Sequence, residues 1–596
     1  MTIEIGFVLA VTILAMVLFA LGRFPADLVA LGVLLTLFFS RVITLEQALG
    51  GFSNEAVVAI GSIFVVSTGL QFTGVADRIG RWIRHISRQS EGRLILLTML
   101  SVAGLSAVMN AVGAVAVLLP AVISAARAIK MPVSRALMPL AIGSLLGNML
   151  TLVGTPSDML ASAVLQQYGY GEFGLFEFTV FGAVAVLLGI GVVLISRNVL
   201  LPTRSGPVTA KAAPSAEAYR IQERLFEAVV SVGSNLEGRT LRELNVGERF
   251  GISVLAVEHA GKTIISPGPS YEVSVLDRLV FSARESDIEQ LRAVYDLDLQ
   301  GHIRLGDIAL TSDDLRMAEL VPMPRSEVIG RTISEIAVRE RFGAQVLAIW
   351  RDGVPLRTHL GQLNVESGDA LLVHGTGQAL TDIRRSGDFV VVSEEDEEPT
   401  RRAHAPVAIV ILLAFVAAAL LKIAPIAIIA LSAAVAMVVT GCVTMAEARN
   451  SIQWRSILLI AAMLSLAEAM AGTGSATFLG EWTTRSLGGY GVLTVLLAVV
   501  LISFLLTHVM GNHVTVVLMA PLAIDAAVHI GSDPRMFAMG VALAATAGFA
   551  SPYAHPSNLL ILGPGNYRFF DYVRIGVPVG LLTVVASVVL LMRIYV

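Results

Sequence analysis

The chain has 596 residues, of which 55% are hydrophobic and 15% charged, with a net charge of -4 and a mean hydropathy of +0.76. Average soluble domains carry about 25% charged residues, so the composition excludes an ordinary soluble protein and predicts a polytopic α-helical membrane protein. The single cysteine, Cys442, excludes an internal disulfide and a cysteine-based metal cage.

The first block, residues 1–202, is rich in apolar segments. We predict spans near 3–21, 26–40, 55–73, 136–162 and 176–197, and an amphipathic segment near 75–92. The first segment lacks a basic leader and is followed by another span, so it is interpreted as a membrane helix and not as a signal peptide. A long apolar region at 94–126 is split at Asn110. Its two arms are too short to cross the membrane comfortably. This predicts a re-entrant hairpin that is buried in protein or lines a cavity.

The middle of the chain, about 203–400, is polar and contains a tandem. Gly238-Arg239-Thr240 recurs as Gly330-Arg331-Thr332, Phe250-Gly251 as Phe342-Gly343, and Asp277 as Asp369, all at an offset of 92. Alternating runs predict two small α+β modules, 215–300 and 301–392. No G-x-G-x-x-G opens a helix after a strand, which argues against a dinucleotide site. The modules resemble the TrkA-C regulatory domains of potassium-uptake regulators, which implies dimerisation and a small-molecule or nucleotide ligand.

The second block, residues 404–596, repeats the hydropathy of the first. We predict spans near 405–421, 424–441, 455–472, 535–562 and 573–594, an amphipathic segment near 475–487, and a split hairpin region at 491–528. Matching residues stand at an offset of 400: Thr73-Gly74 and Thr473-Gly474, Trp82 and Trp482, Pro156 and Pro556, and Asp158 and Asn558. Asn110 and Asn512 differ by 402. Fixed-period similarity indicates an internal duplication.

Broken apolar segments at matching positions of two halves are typical of a secondary transporter and mark its binding site. Enzyme motifs such as H-E-x-x-H, a P-loop or G-x-S-x-G are absent in a suitable context, so an enzyme is not expected. No nucleic-acid partner is expected either, and the surrounding partner is membrane lipid.

Basic residues predict the orientation of each block. Two stretches of the first block are basic: the amphipathic segment carries Arg78, Arg81, Arg84, Arg88 and Arg93, and the turn after the hairpin carries Arg127, Lys130 and Arg135. The corresponding stretches of the second block carry only Arg485 and Arg535. The positive-inside rule places the first set in the cytoplasm and the second outside. Each half has five spans plus a hairpin, and this odd number predicts inverted repeats. Both termini are then outside the plasma membrane, and the modules are cytoplasmic.

The tip and break motifs resemble those of a known family. Asn110 with Pro120 and Gly154-Thr155-Pro156-Ser157-Asp158, and Asn512 with Pro521 and Ala554-His555-Pro556-Ser557-Asn558, are similar to the repeats of the divalent-anion/sodium symporters. A sulfate-permease-like subgroup carries TrkA-C domains between its halves. The resemblance implies a scaffold domain that forms a homodimer, an elevator-type transport domain, and sodium sites beside a central anion site.

The resemblance also implies roles for individual residues. The substrate-binding set is Asn110, Ala111, Thr155, Pro156, Asn512, His513, His555 and Pro556. The sodium set is Ser106, Asn110, Gly154, Asp158, Thr507, Asn512, Ala554 and Asn558. The family's hairpin tips read Ser-Asn-Thr, whereas here Met109 and Ala111 flank one asparagine, and Gly511 and His513 the other. The missing hydroxyls predict different substrate contacts.

Elementary chemistry favours the same roles but leaves alternatives. Sodium prefers amide, hydroxyl and carbonyl oxygens, and an anion prefers the N–H groups of helix N-termini. Asn110 and Asn512 could instead cap helices, His513 could be an interior histidine, and Asp158 could pair with a backbone amide.

The leading hypothesis is sodium-coupled import of a small anion, with a sulfate-like oxyanion favoured over a dicarboxylate. Proton coupling through His513 and His555 is one alternative. A ligand-gated channel or cation exchanger is another, because of the TrkA-C-like tandem, although the chain lacks a T-V-G-Y-G filter.

Overall fold

The computed structural model describes residues 2–21, 24–75, 79, 90–204 and 401–596, and, with short gaps, 225–302 and 315–392. The amphipathic segment predicted near 75–92, with Arg78, Arg81, Arg84 and Arg88, lies almost wholly outside the described residues. The first membrane block consists of α1 (Ile3–Leu21), α2 (Ala26–Phe39), α3 (Leu45–Gly50), α4 (Glu55–Phe72), α5 (Glu91–Ser106), α6 (Ala111–Ala128), α7 (Val133–Asn148), α8 (Pro156–Gln167) and α9 (Thr179–Leu200).

Two small α+β modules follow. The first contains β1 (Leu225–Val230), α10 (Leu241–Leu244), α11 (Val246–Phe250), β2 (Ser253–His259), β3 (Lys262–Ile265), β4 (Arg278–Ser282), α12 (Glu285–Tyr295) and β5 (Leu297–His302). The second contains β6 (Leu315–Pro322), α13 (Ile333–Ile336), α14 (Val338–Phe342), β7 (Gln345–Arg351), β8 (Val354–Leu356), β9 (Ala370–Thr376), α15 (Gly377–Ser386) and β10 (Phe389–Val392).

The two modules share one antiparallel topology. Their five-stranded sheets have the orders β3-β2-β4-β1-β5 and β8-β7-β9-β6-β10, so each strand of one has its counterpart in the other. Even a register shift recurs, between Val254 and Ala256 in β2 and between Val346 and Ala348 in β7. Each module has its own hydrophobic core. The offset of 92 seen in the sequence therefore corresponds to a repeated fold.

The second membrane block repeats the helix order of the first. It consists of α16 (Ala405–Leu420), α17 (Ile426–Val439), α18 (Met445–Ser451), α19 (Trp454–Thr473), α20 (Ser475–Leu487), α21 (Val492–Met510), α22 (Asn512–His529), α23 (Pro534–Thr546), α24 (Pro556–Leu562) and α25 (Phe569–Tyr595). The short helices α3 and α18 both begin with a capping box, formed by Thr44 with Gln47 and by Thr444 with Glu447. The duplication thus extends to local hydrogen bonds.

The blocks pack on each other in reciprocal pairs. Helix α2 packs on α19, and its counterpart α17 packs on α4. In the same way α22 packs on α8, and α24 packs on α6. Each hairpin therefore lies against the broken segment of the other block, which brings the sequence features that are about 400 residues apart into one region.

The hairpin arms are longer than expected. They have 16 residues in α5, 18 in α6, 19 in α21 and 18 in α22. The last three are among eight helices of the described chain that are long and apolar enough to cross a membrane. The prediction that the arms are too short is therefore wrong for these three, and the hairpins are distinguished by their polar tips, not by their length.

The second module packs on the membrane helices. Val321, Val390 and Val392 belong to the same hydrophobic core as those helices, and β10 lies against α6. The turn before β9 reaches the end of α24, where a Cβ added to Gly563 would stand 2.0 Å from the Gly368 carbonyl oxygen. This module therefore contacts both a hairpin arm and a half-helix that begins at a break.

Candidate functional site

The two hairpin tips are built differently. Asn110 is the N-cap of α6, and its Oδ1 accepts a hydrogen bond of 2.7 Å from the Gly113 amide. In the second block the N-cap is Gly511, whose φ of 79° favours glycine, and Asn512 is the first residue of α22. The alternative role, helix capping, is thus seen for Asn110, whereas the side chain of Asn512 makes other contacts.

The two breaks are built alike. We define the first break as residues 149–155 and the second as 547–555, between the helices of each broken segment. Thr155 and His555 are the N-caps that follow, and each accepts a hydrogen bond from the amide of the serine two residues later, at 3.4 and 3.2 Å. Pro156 and Pro556 occupy the first helical turn, where the missing N–H is not needed.

Contacts between the blocks join the second hairpin tip to the first break. The Asn512 amide nitrogen donates to the Thr155 hydroxyl oxygen at 3.5 Å. The Ser157 hydroxyl and His513 Nδ1 share a hydrogen bond of 2.9 Å. These four side chains are at most 8% exposed, so the polar contact is enclosed by protein. Three of the four are predicted substrate-binding residues.

Most of the remaining predicted substrate residues lie at the starts of two helices that pack on each other, α6 and α24. Asn110 and Ala111 lie at the start of α6, against which α24 packs. His555 precedes Pro556 at the start of α24, and its Nδ1 hydrogen-bonds the Ser557 hydroxyl at 2.8 Å. The half-helix that follows the second break thus packs on the arm that follows the first tip, as α8 packs on α22.

Some side-chain oxygens of the predicted sodium set have no hydrogen-bond partner in the described part of the chain. Within the described residues, Ser106 Oγ and Asp158 Oδ2 are buried and have no hydrogen-bond partner. Thr507 donates its proton to the Ala545 carbonyl at 2.7 Å, which leaves its oxygen lone pairs available. Hydroxyl, carboxylate and carbonyl oxygens are the ligands that hard cations prefer. The side chains present therefore fit sodium.

The other members of the sodium set have structural contacts in the breaks. Gly154 lies against Asn148, where an added Cβ would stand 2.5 Å from the carbonyl oxygen. Ala554 lies beside the second hairpin tip, because a Cβ added to Gly511 would stand 3.9 Å from the Ala554 carbonyl oxygen. The Asn558 amide nitrogen donates to the carbonyls of Gly548 and Ser551 at 3.0 and 2.9 Å. Asn558 thus holds the second break together.

Several side chains of the site did not follow from the sequence. Ser157, Asn148 and Thr546 take part, and Thr546 donates to Asp158 Oδ1 at 3.3 Å. Ser157 could have been found, because Ser557 stands at the same offset of 400. Asn148 and Thr546 have no matching polar partner, since the equivalent positions are Gly548 and Leu146.

His508 connects the second hairpin to the second break. Its Nδ1 is 2.7 Å from the Phe504 carbonyl oxygen, and its Nε2 accepts from the Ala550 amide at 3.1 Å. Only a neutral imidazole with the proton on Nδ1 satisfies both contacts.

The electrostatic setting combines helix dipoles with few formal charges. The tip and break segments 105–120, 148–160, 503–521 and 545–562 contain no Lys or Arg, and Asp158 is their only carboxylate. The N-termini of α8 and α22 meet at the contacts of Asn512 with Thr155 and of His513 with Ser157, and present the positive ends of their dipoles there. The site can therefore attract an anion without a basic side chain.

Two halves with broken helices that meet across a buried polar site are the arrangement of a secondary transporter. The chain matches the model of the family CitMHS, citrate transporter, over residues 16–542. It is 34% identical to the uncharacterized transporter YfbS of Escherichia coli K12, over 99% of this chain and 98% of that one. The uncharacterized transporter sll0640 of Synechocystis is 30% identical, over 99% and 97%. The chain belongs to the CitMHS citrate transporter family, within the divalent-anion/sodium symporter superfamily.

A more distant relative and a solved structure complete the comparison. Sodium/sulfate cotransporter 1 of Chlamydomonas reinhardtii is 23% identical, over 62% of this chain and 43% of its own. The YdaH transporter of Alcanivorax borkumensis, at 11% identity, aligns with 92% of this chain and 86% of its own, with a TM-score of 0.39. Family membership confirms the resemblance to the divalent-anion/sodium symporters and makes the protein an integral membrane transporter.

Proposed function

We propose that the protein imports a small anion together with sodium, and that a sulfate-like oxyanion is preferred over a dicarboxylate. The observation that carries this proposal is the buried contact between the second hairpin tip and the first break, Asn512 to Thr155 and Ser157 to His513. Polar side chains enclosed between two broken-helix halves, in a transporter family, support a binding site for the transported solute.

Anion and cation would be held by different groups of the same region. Backbone amides at the starts of α6, α8 and α22, with His513 and His555, supply hydrogen-bond donors for the anion. Oxygen atoms of Ser106, Asn110, Asp158, Thr507 and Asn512, with the carbonyls of Gly154 and Ala554, would hold sodium. Because these segments lack Lys and Arg, bound sodium would supply the positive charge that a doubly charged anion needs.

The preference for an oxyanion is supported by relatives and by the altered tips. One relative is named a sodium/sulfate cotransporter. The matching family model is described as a citrate transporter, so carboxylates are the alternative substrates to a sulfate-like oxyanion. Ala111 and His513 replace tip hydroxyls and change the hydrogen-bonding groups that face a substrate.

The proposed architecture follows the charge pattern of the sequence. The two blocks would insert in opposite orientations, each with five spans and one hairpin, and both termini would lie outside. The two modules would be TrkA-C-like cytoplasmic regulators with a small-molecule or nucleotide ligand. A homodimeric scaffold with a transport domain that moves like an elevator would carry the site across the plasma membrane.

Uptake of labelled sulfate into proteoliposomes tests the proposal. We expect uptake driven by an inward sodium gradient and none with choline, with competition by thiosulfate stronger than by succinate or citrate. Uptake that does not depend on sodium would refute the coupling. Preferential uptake of citrate or succinate would refute the oxyanion assignment. Uptake driven by a pH gradient without sodium would favour proton coupling through the histidines.

A further inference from the structure

Asp158 and Asn558 occupy equivalent positions with different chemistry. Each is the third residue of a helix that begins with proline after a break, and their numbers differ by 400. Both side chains are enclosed, with 0% and 2% exposure. The backbone amide of each bonds the carbonyl of its N-cap, at 3.2 and 3.0 Å. The two half-sites therefore differ by a carboxylate in place of an amide.

The amide closes the second break. Asn558 Nδ2 donates to the carbonyl oxygens of Gly548 and Ser551, which lie where the helix is interrupted. The Ser551 carbonyl also accepts from the Ala554 amide at 3.4 Å. At an offset of 400, the corresponding carbonyls in the first block belong to Asn148 and Thr151. An ionised carboxylate has no proton to donate and cannot satisfy such acceptors.

Asp158 has an oxygen for which the described protein supplies no donor. Oδ1 accepts from Thr546, but Oδ2 is buried without a hydrogen-bond partner in the described residues. Asn148 Oδ1 and Ser106 Oγ, from helices that pack together, are likewise buried and unpartnered in this part of the chain. Burial of an uncompensated carboxylate is strongly unfavourable, and no Lys or Arg lies in these segments.

We propose that Asp158 Oδ2 holds a monovalent cation at the first break, where the second break has the amide of Asn558 instead. One carboxylate with carbonyl and hydroxyl oxygens suits a hard cation such as sodium. In the described chain no group of three or more His, Cys, Asp or Glu side chains could hold a metal ion. The inference rests on the proposed sodium coupling and adds that the two half-sites are unequal, with a charged cation ligand in the first only.

Sodium-dependent thermal stability of the purified full-length protein tests this without any substrate. Wild-type protein should unfold at higher temperature in sodium chloride than in choline chloride of equal ionic strength, because a bound cation stabilises the native state. D158N should be more stable than wild type in choline, since its amide can serve both carbonyls. Its half-saturating sodium concentration should rise by about 10- to 100-fold. N558D, the mirrored change, should lose stability in choline and gain a sodium-dependent component.

The outcomes separate this inference from the proposed function. A wild-type protein that sodium does not stabilise would refute both. A D158N protein with the wild-type sodium titration, or with lower stability in choline, would refute only the assignment to Asp158. Stabilisation of wild type by acid that disappears in D158N, with the sodium response intact, would identify a proton as the occupant and overturn the cation. Counting bound radioactive sodium per protein gives an independent check, with fewer ions expected in D158N.

Discussion

Asn110 and Asn512 show how one residue type serves two local purposes. Asn110 caps α6 through Gly113, whereas Asn512 uses its amide nitrogen to reach Thr155 of the other block. The sequence predicted both asparagines at hairpin tips, and the structure agrees. Their unequal bonding could not be predicted, because it depends on Gly511 taking the cap position and on a neighbour 357 residues away.

Replacing either asparagine should strongly reduce transport while the protein still folds. Loss of a hydrogen bond or ligand to a charged group costs about 1.5–3 kcal/mol. Asn110→Ala and Asn512→Ala should therefore each reduce sulfate uptake by about tenfold or more. The measurement is initial uptake per purified protein in proteoliposomes.

Asn54→Ala is the matched control for this experiment. Asn54 caps the membrane helix α4 by accepting from the Ala56 amide at 2.9 Å, away from the tips and breaks. Its loss should cost cap stability of about 1 kcal/mol and leave uptake nearly unchanged. Wild-type uptake in either tip variant, or an equal loss in Asn54→Ala, would show that the asparagines have only a structural role.

At the scale of elements, the two half-helices that follow the breaks have different lengths. Helix α8 has 12 residues and α24 only 7. Helix α24 ends where Gly563 meets the Gly368 carbonyl of the second module, and Ala163 stands at the equivalent position within α8. The second module thus touches the element that begins at the second break.

Gly563→Ala should displace the second module from α24. The added Cβ would stand 2.0 Å from the Gly368 carbonyl oxygen, whereas the Gly563 backbone, with φ of -66°, accepts alanine without strain. Hydrogen exchange of the turn before β9 should therefore increase, while transport at saturating substrate persists. Gly191→Ala in α9, with open space around it, is the control and should change neither. Unchanged exchange in Gly563→Ala, or complete loss of transport in a folded protein, would contradict this separation of regulation from transport.

Much of the element structure could be predicted. The predicted segments 3–21 and 475–487 coincide with α1 and α20, because long apolar or amphipathic runs bounded by Gly, Pro or polar residues leave little choice of secondary structure. The hairpin arms are longer than the sequence predicts, because apolar residues continue to within one turn of each tip. The docking of the second module was not predictable, because a contact between two glycines has no signature in composition or periodicity.

For the whole molecule, duplication at two periods explains the architecture. An offset of 400 relates the membrane blocks, and an offset of 92 relates the modules between them. The site arises because each hairpin packs on the broken segment of the other block, so neither half is sufficient alone. The departures from symmetry, Asp158 for Asn558 and Thr155 for His555, are where the two half-sites can divide cation and anion binding.

The proposed function requires that this shared site bind sodium and a small oxyanion together. Calorimetric affinities of the purified protein for sulfate, thiosulfate, succinate and citrate, measured at several sodium concentrations, test it most directly. We expect sulfate affinity to rise with sodium and sodium affinity to rise with sulfate by the same factor, as linkage requires. Sulfate affinity that is independent of sodium, or tighter binding of a carboxylate than of sulfate at every sodium concentration, would contradict the account.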